Sequence, residues 1–80
     1  MIKFKVFVVW RDGDSDWFTL FYHSYDEFVE FNCKHYNDMS EWMRVVAFQD
    51  KEIPNHQVLE YLGDFYRLGN EVQFVKPIEQ

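Results

Sequence analysis

The chain has 80 residues, with eight Lys and Arg against fourteen Asp and Glu, so its formal charge is −6 with the histidines neutral. A chain this short buries only about 60 to 65% of its unfolded surface, which excludes a second core and a deep cofactor-enclosing cleft. With 48% hydrophobic and 28% charged residues it is too apolar for a disordered chain, and it holds no run approaching the ~18 apolar residues of a membrane span. The expectation is one acidic α+β domain over residues 1–80.

From Ile2 to Arg11 the side chains divide by period two. Ile2, Phe4, Val6, Val8 and Trp10 form a core face, and the other face starts polar at Lys3 and Lys5 and turns apolar at Phe7 and Val9. Asp12-Gly13-Asp14-Ser15-Asp16 supplies a turn, because an Asp-Gly pair accepts the positive φ angles that reverse a strand. Trp17 to His23 has the aromatic and β-branched make-up of the return strand. Ser24-Tyr25-Asp26-Glu27 matches a capping box and predicts a helix start. Tyr25, Phe28, Val29, Asn32, Cys33 and Tyr36 then share one helical face, Phe31 lies off that stripe, and Asn37-Asp38 supplies a stop.

A third strand is expected over Glu41 to Gln49, closed by Asp50-Lys51-Glu52. Pro54 and Asn55 suit the start of a second helix, in which Val58, Leu59, Leu62, Phe65 and Tyr66 fall at helical spacing and Gly69-Asn70 is a left-handed stop. Glu71 to Lys76 alternates around Val72 and Phe74 as a last strand before Pro77. The expected order is β-β-α-β-α-β: a mostly antiparallel four-strand sheet with two helices packed on one face. Seventeen aromatic residues, three Trp, five Tyr and nine Phe, stabilise so small a domain, and some remain at its surface. If the second sheet face stays uncovered, Phe7, Val9 and Met43 sit on it beside Lys3, Lys5 and Thr19, which predicts a homodimer interface there.

Met1 to Lys5 carries two positive charges, but the apolar stretch after it has no small-residue cleavage site, so it does not read as a signal peptide. Cys33 is the single cysteine and cannot form an intramolecular disulfide. A cytoplasmic location is the expectation, with no membrane association.

The chemical motifs are sparse. Asp12-x-Asp14-x-Asp16 resembles the opening of a calcium loop, but Trp17 stands where such a loop needs Gly and His23 where it needs a bidentate Glu, so no metal is expected. His23, His35 and His56 share no ligand spacing, and Cys33 on an apolar helix stripe reads as a small core residue. Phosphate-binding glycine loops and nucleophile elbows are missing from the sequence, so neither a catalytic role nor a cofactor is expected. The basic residues are spread from Lys3 to Lys76, which argues against direct nucleic-acid binding.

Charge is uneven in the opposite sense. Residues 12 to 41 hold eight acidic residues against Lys34 alone, a net charge of −7, and the rest of the chain sums to +1. Such a pole steers a basic surface toward it. In size, acidity and lack of catalytic signature the chain resembles the loose class of small phage proteins that inhibit host defence or nucleic-acid enzymes, a resemblance of type rather than of particular residues. It implies a non-catalytic inhibitor, in the host cytoplasm if phage-encoded, that docks on a larger, partly basic protein. The expected contacts are Asp12, Asp14, Asp16, Glu27 and Glu30 for charge and Trp17 and Phe31 as anchors. The alternative is a small structural or regulatory homodimer with no inhibitory role.

Overall fold

The computed structural model describes residues 1–78. Its elements are β1 (Ile2–Trp10), β2 (Ser15–Tyr22), α1 (Tyr25–Asn37), β3 (Trp42–Ile53), β4 (His56–Leu68) and β5 (Glu71–Val75). The strands form one five-stranded sheet in the order β2-β1-β3-β4-β5, antiparallel throughout. Because β1 lies between β2 and β3, α1 carries the chain across one face of the sheet from one side of β1 to the other. The opposite face has no covering element among the described residues.

The first half of the chain folds as its pattern dictates. Phe4, Val6 and Val8 are fully buried under the helix, and Lys3, Lys5, Phe7 and Val9 point to the uncovered face. The capping box forms: Glu27 N donates to Ser24 Oγ at 3.1 Å, and the Glu27 carboxylate accepts from His23 N at 2.8 Å. Phe28, Asn32 and Tyr36, one turn apart along α1, are its buried residues. Phe28 stacks on Phe4 with ring centroids 4.1 Å apart, and a fully buried Phe is worth ~1.5–3 kcal/mol. Buried Asn32 is satisfied, since its Nδ2 donates to Phe28 O and to the Tyr22 hydroxyl. At the other end of α1, Trp42 Nε1 and Arg67 Nη2 both donate to the Tyr36 and Met39 carbonyls. They tie the end of α1 and the turn after it to β3 and β4.

The second half overturns the expected four-strand, two-helix arrangement. β3 does not close at Asp50 but runs on to Ile53, and Pro54-Asn55 is a two-residue turn that reverses it into β4. Asn55 sits at φ 79, and proline followed by a positive-φ residue is a turn signature rather than a helix start. The expected second helix is β4. Its helical spacing is produced by a bulge: pairing shifts between Ala47 and Phe48, so that Ala47 faces Gly63 while Phe48 faces Tyr61, and Leu62 is the extra residue. One inserted residue places Tyr61 and Asp64 on the same face at a separation of three, which imitates a helical step inside a strand. Gly63 at φ 150 makes the bulge possible, since a Cβ there would run into the Val75 carbonyl and the Phe74 ring. Gly69-Asn70, the expected helix stop, is the turn that pairs Leu68 with Glu71.

Candidate functional site

The uncovered face is built by period two from every strand. Registers place Phe7 beside Trp17, Val9 beside Ser15, Phe48 beside Lys5 and Tyr61 beside Phe48, all on the side away from α1. Their rings form a row across four strands. Phe7 and Trp17 have centroids 4.9 Å apart, Trp17 and Phe48 5.6 Å, and Phe48 and Tyr61 5.9 Å. Trp17 and Tyr61 at its ends are exposed, and Phe7 and Phe48 between them are half-buried.

A carboxylate lies on each side of this row along the strands. Asp64, register partner of Val46, is only 1% exposed although it faces outward, because three side chains close over it. The Tyr61 hydroxyl donates to Oδ1, and the Tyr66 hydroxyl and Arg44 Nε donate to Oδ2 at 3.2 Å each. The hydrogen bond to Asp64, with burial and the Asp64 charge, pushes the Tyr61 phenol up to about 12, so it stays a donor at neutral pH. On the other side, buried Asp50 accepts from Gln57 Nε2 at 2.7 Å and pairs with Lys3 Nζ at 3.2 Å through Oδ2. Burial acts to raise the Asp50 pKa, but the Gln57 and Lys3 hydrogen bonds and the charges of Lys3 and Lys5 outweigh it and hold the carboxyl below its usual range. Asp50 Oδ1 is buried with no hydrogen-bond partner.

The acidic pole expected from the sequence is divided by the fold. Asp12, Asp14 and Asp16 lie at the β1–β2 turn, whereas Asp26 and Glu27 open α1 beyond Tyr22, which pairs with Ile2 at the far end of β1. A nine-residue strand separates the two groups by about 25 Å. Several of these carboxylates also have structural work. Asp12 Oδ1 accepts from Asp14 N at 2.9 Å within the turn, Asp16 Oδ2 accepts from Trp10 Nε1 at 2.7 Å, and Glu27 caps the helix. Glu30 is exposed on α1.

Of the expected anchors, Trp17 joins the aromatic row and Phe31 does not. Phe31 is on the helix side, stacked at 6.0 Å on Tyr22. Of the expected dimer patch, Phe7 and Val9 share the uncovered face, and Met43 is an exposed residue in a bulge where pairing shifts between Val9 and Trp10. Phe48, Tyr61, Arg44, Asp50 and Asp64 do not stand out in the sequence as site residues, and three of them, Asp50, Tyr61 and Asp64, fall where the pattern predicts the end of β3 or a helix in place of β4. The signal that could have found them is Gly63-Asp64 inside an apolar, aromatic run, since an isolated glycine in a strand pattern marks a bulge.

The remaining candidates stay apart. Among the described residues no three His, Cys, Asp or Glu side chains gather closely enough to hold a metal ion. Burial pushes the half-buried Cys33 thiol up, against the lowering effect of a Phe74 backbone hydrogen bond. No helix among the described residues is long and apolar enough to cross a membrane. Comparison with protein-family models, curated proteins and solved structures returned no significant match.

Proposed function

We propose that the chain is a non-catalytic protein-binding protein of the cytoplasm, inhibitory toward a larger, partly basic partner, and that it docks through the uncovered sheet face. The observation that carries this reading is the row of Phe7, Trp17, Phe48 and Tyr61, in ring contact across four strands with no element over it among the described residues. An aromatic centre inside a polar rim is the anatomy of a protein interface. Two of the nearby cations are matched, Lys3 with Asp50 and Arg44 with Asp64, so Lys5, register neighbour of Phe48, is the one ammonium group beside the rings without an ion pair among the described residues. The overall charge of −6 then supplies long-range attraction to a basic surface.

Exposed rings on a sheet can also stack on the bases of single-stranded nucleic acid. That use needs a cationic groove for the phosphates, and the pairing of Lys3 and Arg44 with carboxylates weighs against it. The test is parallel affinity capture with the wild type, a Trp17→Ala, Tyr61→Ala double variant and a Phe31→Ala variant. The reading expects a partner held by the wild type and by Phe31→Ala and lost from the double variant. A partner retained by the double variant, or binding of a single-stranded oligonucleotide that quenches Trp17 fluorescence, would overturn it.

A further inference from the structure

The two edges of the sheet are unlike. β5 is five residues long and is followed closely by Pro77, and a short edge ended by proline offers little to an incoming strand. β2 is eight residues long, contains no proline or lysine, pairs with β1 without a register shift, and has no strand on its outer side among the described residues. Its unpaired backbone edge is flanked by exposed aromatics on both faces. Trp17 (52%) and Phe21 (54%) stand on the uncovered face, and Phe18 (43%) on the helix face. α1 packs more extensively on β5 than on β2, and a groove of about 630 Å³ lies beside the β2 edge, lined in part by Phe18, Leu20, Tyr22, Phe31 and Met39.

We infer that β2 pairs antiparallel with β2 of a second copy about a two-fold axis at Thr19, normal to the sheet, so that one sheet runs through both copies. This interface goes beyond the docking face proposed above and does not depend on it. The Thr19 register sets Trp17 opposite Phe21 of the second copy on one face and Phe18 opposite its Leu20 on the other, so rings and aliphatic groups meet on both sides. An axis at Phe18 would set Asp16 against Leu20, and one at Leu20 would push Trp17 against His23, past the end of the strand. Both helices fall on the same side of the joined sheet, and the two apolar grooves, each edged by Phe31, face one another across the axis.

Charge points to a second copy rather than a basic partner at this edge. No charged residue lies between Trp17 and Tyr22, and the antiparallel arrangement sends the two acidic turns, Asp12 to Asp16, to opposite ends of the paired strands. The area is also sufficient. Half-exposed aromatics offer about 100 Å² each, so Phe18, Phe21 and Phe31 on two copies supply roughly 600 Å², with Trp17 left out because its ring leans inward over Phe7. The strand backbones with Leu20, Tyr22 and Met39 bring the total to the ~1,200 Å² at which specific interfaces begin.

The experiment places charge on the axis. The wild type should sediment as a dimer at tens of micromolar (roughly, to exceed ordinary dimer constants). Thr19→Lys and Thr19→Glu each set like charges against themselves and should weaken association at least ~10-fold, while an equimolar mixture should recover a one-to-one heterodimer by native mass spectrometry. Thr19 is exposed but is the register partner of Lys5 on β1, so Thr19→Lys carries a folding cost that Thr19→Glu does not. Circular dichroism checks both, and Thr19→Glu against wild type suffices if Thr19→Lys unfolds. A monomeric wild type, or a Thr19→Glu dimer as tight as wild type, overturns the proposal. Thr19→Glu leaves Phe48 and Tyr61 in place, so loss of the dimer with partner capture retained separates this interface from the docking face.

Discussion

Trp17 and Phe48 belong to strands that do not touch, yet their rings lie 5.6 Å apart, because the indole leans across β1 over the ring of Phe7. Contacts of this kind join the edge strand to the centre of the sheet without hydrogen bonds between them. A double-mutant cycle on Trp17→Ala and Phe48→Ala, read by urea unfolding, should give a coupling of ~0.5–1.5 kcal/mol. Additive effects would mean that the rings are neighbours without mutual stabilisation.

The Asp64 network sets an alkaline limit on stability. Tyr61 is raised from 10.0 to about 12, first by its hydrogen bond to Asp64, so the folded state holds this proton where the unfolded chain has released it. That stabilisation is complete below pH 10 and is lost as pH rises through about 12. Ultraviolet titration of the phenols should show the Tyr61 transition moving down toward the ordinary value in Asp64→Asn. Tyr36, pushed up to about 12 chiefly by burial, should stay where it is.

Asp50 acts at the acid end. Its carboxyl is held below the ordinary value of 3.8, so the stability it contributes is present above that pH and is lost as pH falls through the folded value. In Lys3→Met the Asp50 resonance followed by NMR should titrate at higher pH than in wild type. An unchanged titration would mean that Gln57 and the Lys5 charge hold the carboxylate without Lys3.

Gly63 is the position where the fold of the second half can be broken by one methyl group. At φ 150, with the Phe74 ring 2.9 Å from where a Cβ would lie and the Val75 carbonyl closer still, Gly63→Ala combines backbone strain with a clash. It should cost ~2 kcal/mol or more in a thermal or urea melt. Gly13, which has open space around it, should show only the effect of its turn conformation.

The same residue explains what was legible in the sequence. The hairpin, the capped helix and the core face of β1 follow from local patterns that agree with one another: period two in Phe4, Val6 and Val8, and Ser24 three residues ahead of Glu27. β4 reads as a helix because its bulge at Leu62 shifts the strand period by one, so that Leu59, Leu62, Phe65 and Tyr66 acquire helical spacing without a helix. Gly63 is the one local mark of a bulge there, and by itself it does not decide between the two periods. The choice is made by long-range pairing with β3 and β5, which a helix could not satisfy. With β4 hidden, Tyr61 and Asp64 are hidden too, and Phe7 and Trp17 read as a dimer contact and a partner anchor rather than as neighbours in one row. The acidic pole was legible as a count but not as a place, because the chain that runs from Asp16 to Asp26 spans the length of the sheet.

That division makes the acidic residues separable by experiment. Asp14 and Glu30 are exposed, and reversing them to Lys should leave the melting temperature within a few degrees of wild type, as surface changes do. Asp16 accepts from Trp10 Nε1, and Glu27 accepts from His23 N, so their reversal removes a hydrogen bond as well as a charge. Each should cost ~1 kcal/mol of stability, with the Glu27 change acting through the helix start. Toward a basic partner, Asp14→Lys with Glu30→Lys should lower the association rate and leave dissociation nearly unchanged, since at about 0.15 M salt the screening length is roughly 8 Å and charges outside the contact act mainly on encounter. Trp17→Ala should do the reverse and speed release, because a buried aromatic anchor is felt in the bound state. Surface plasmon resonance at two salt concentrations tests both. An association rate that is equal for wild type and the Asp14, Glu30 double reversal at low salt would show that the two acidic groups serve solubility and folding, and would leave the aromatic face as the whole of the docking surface.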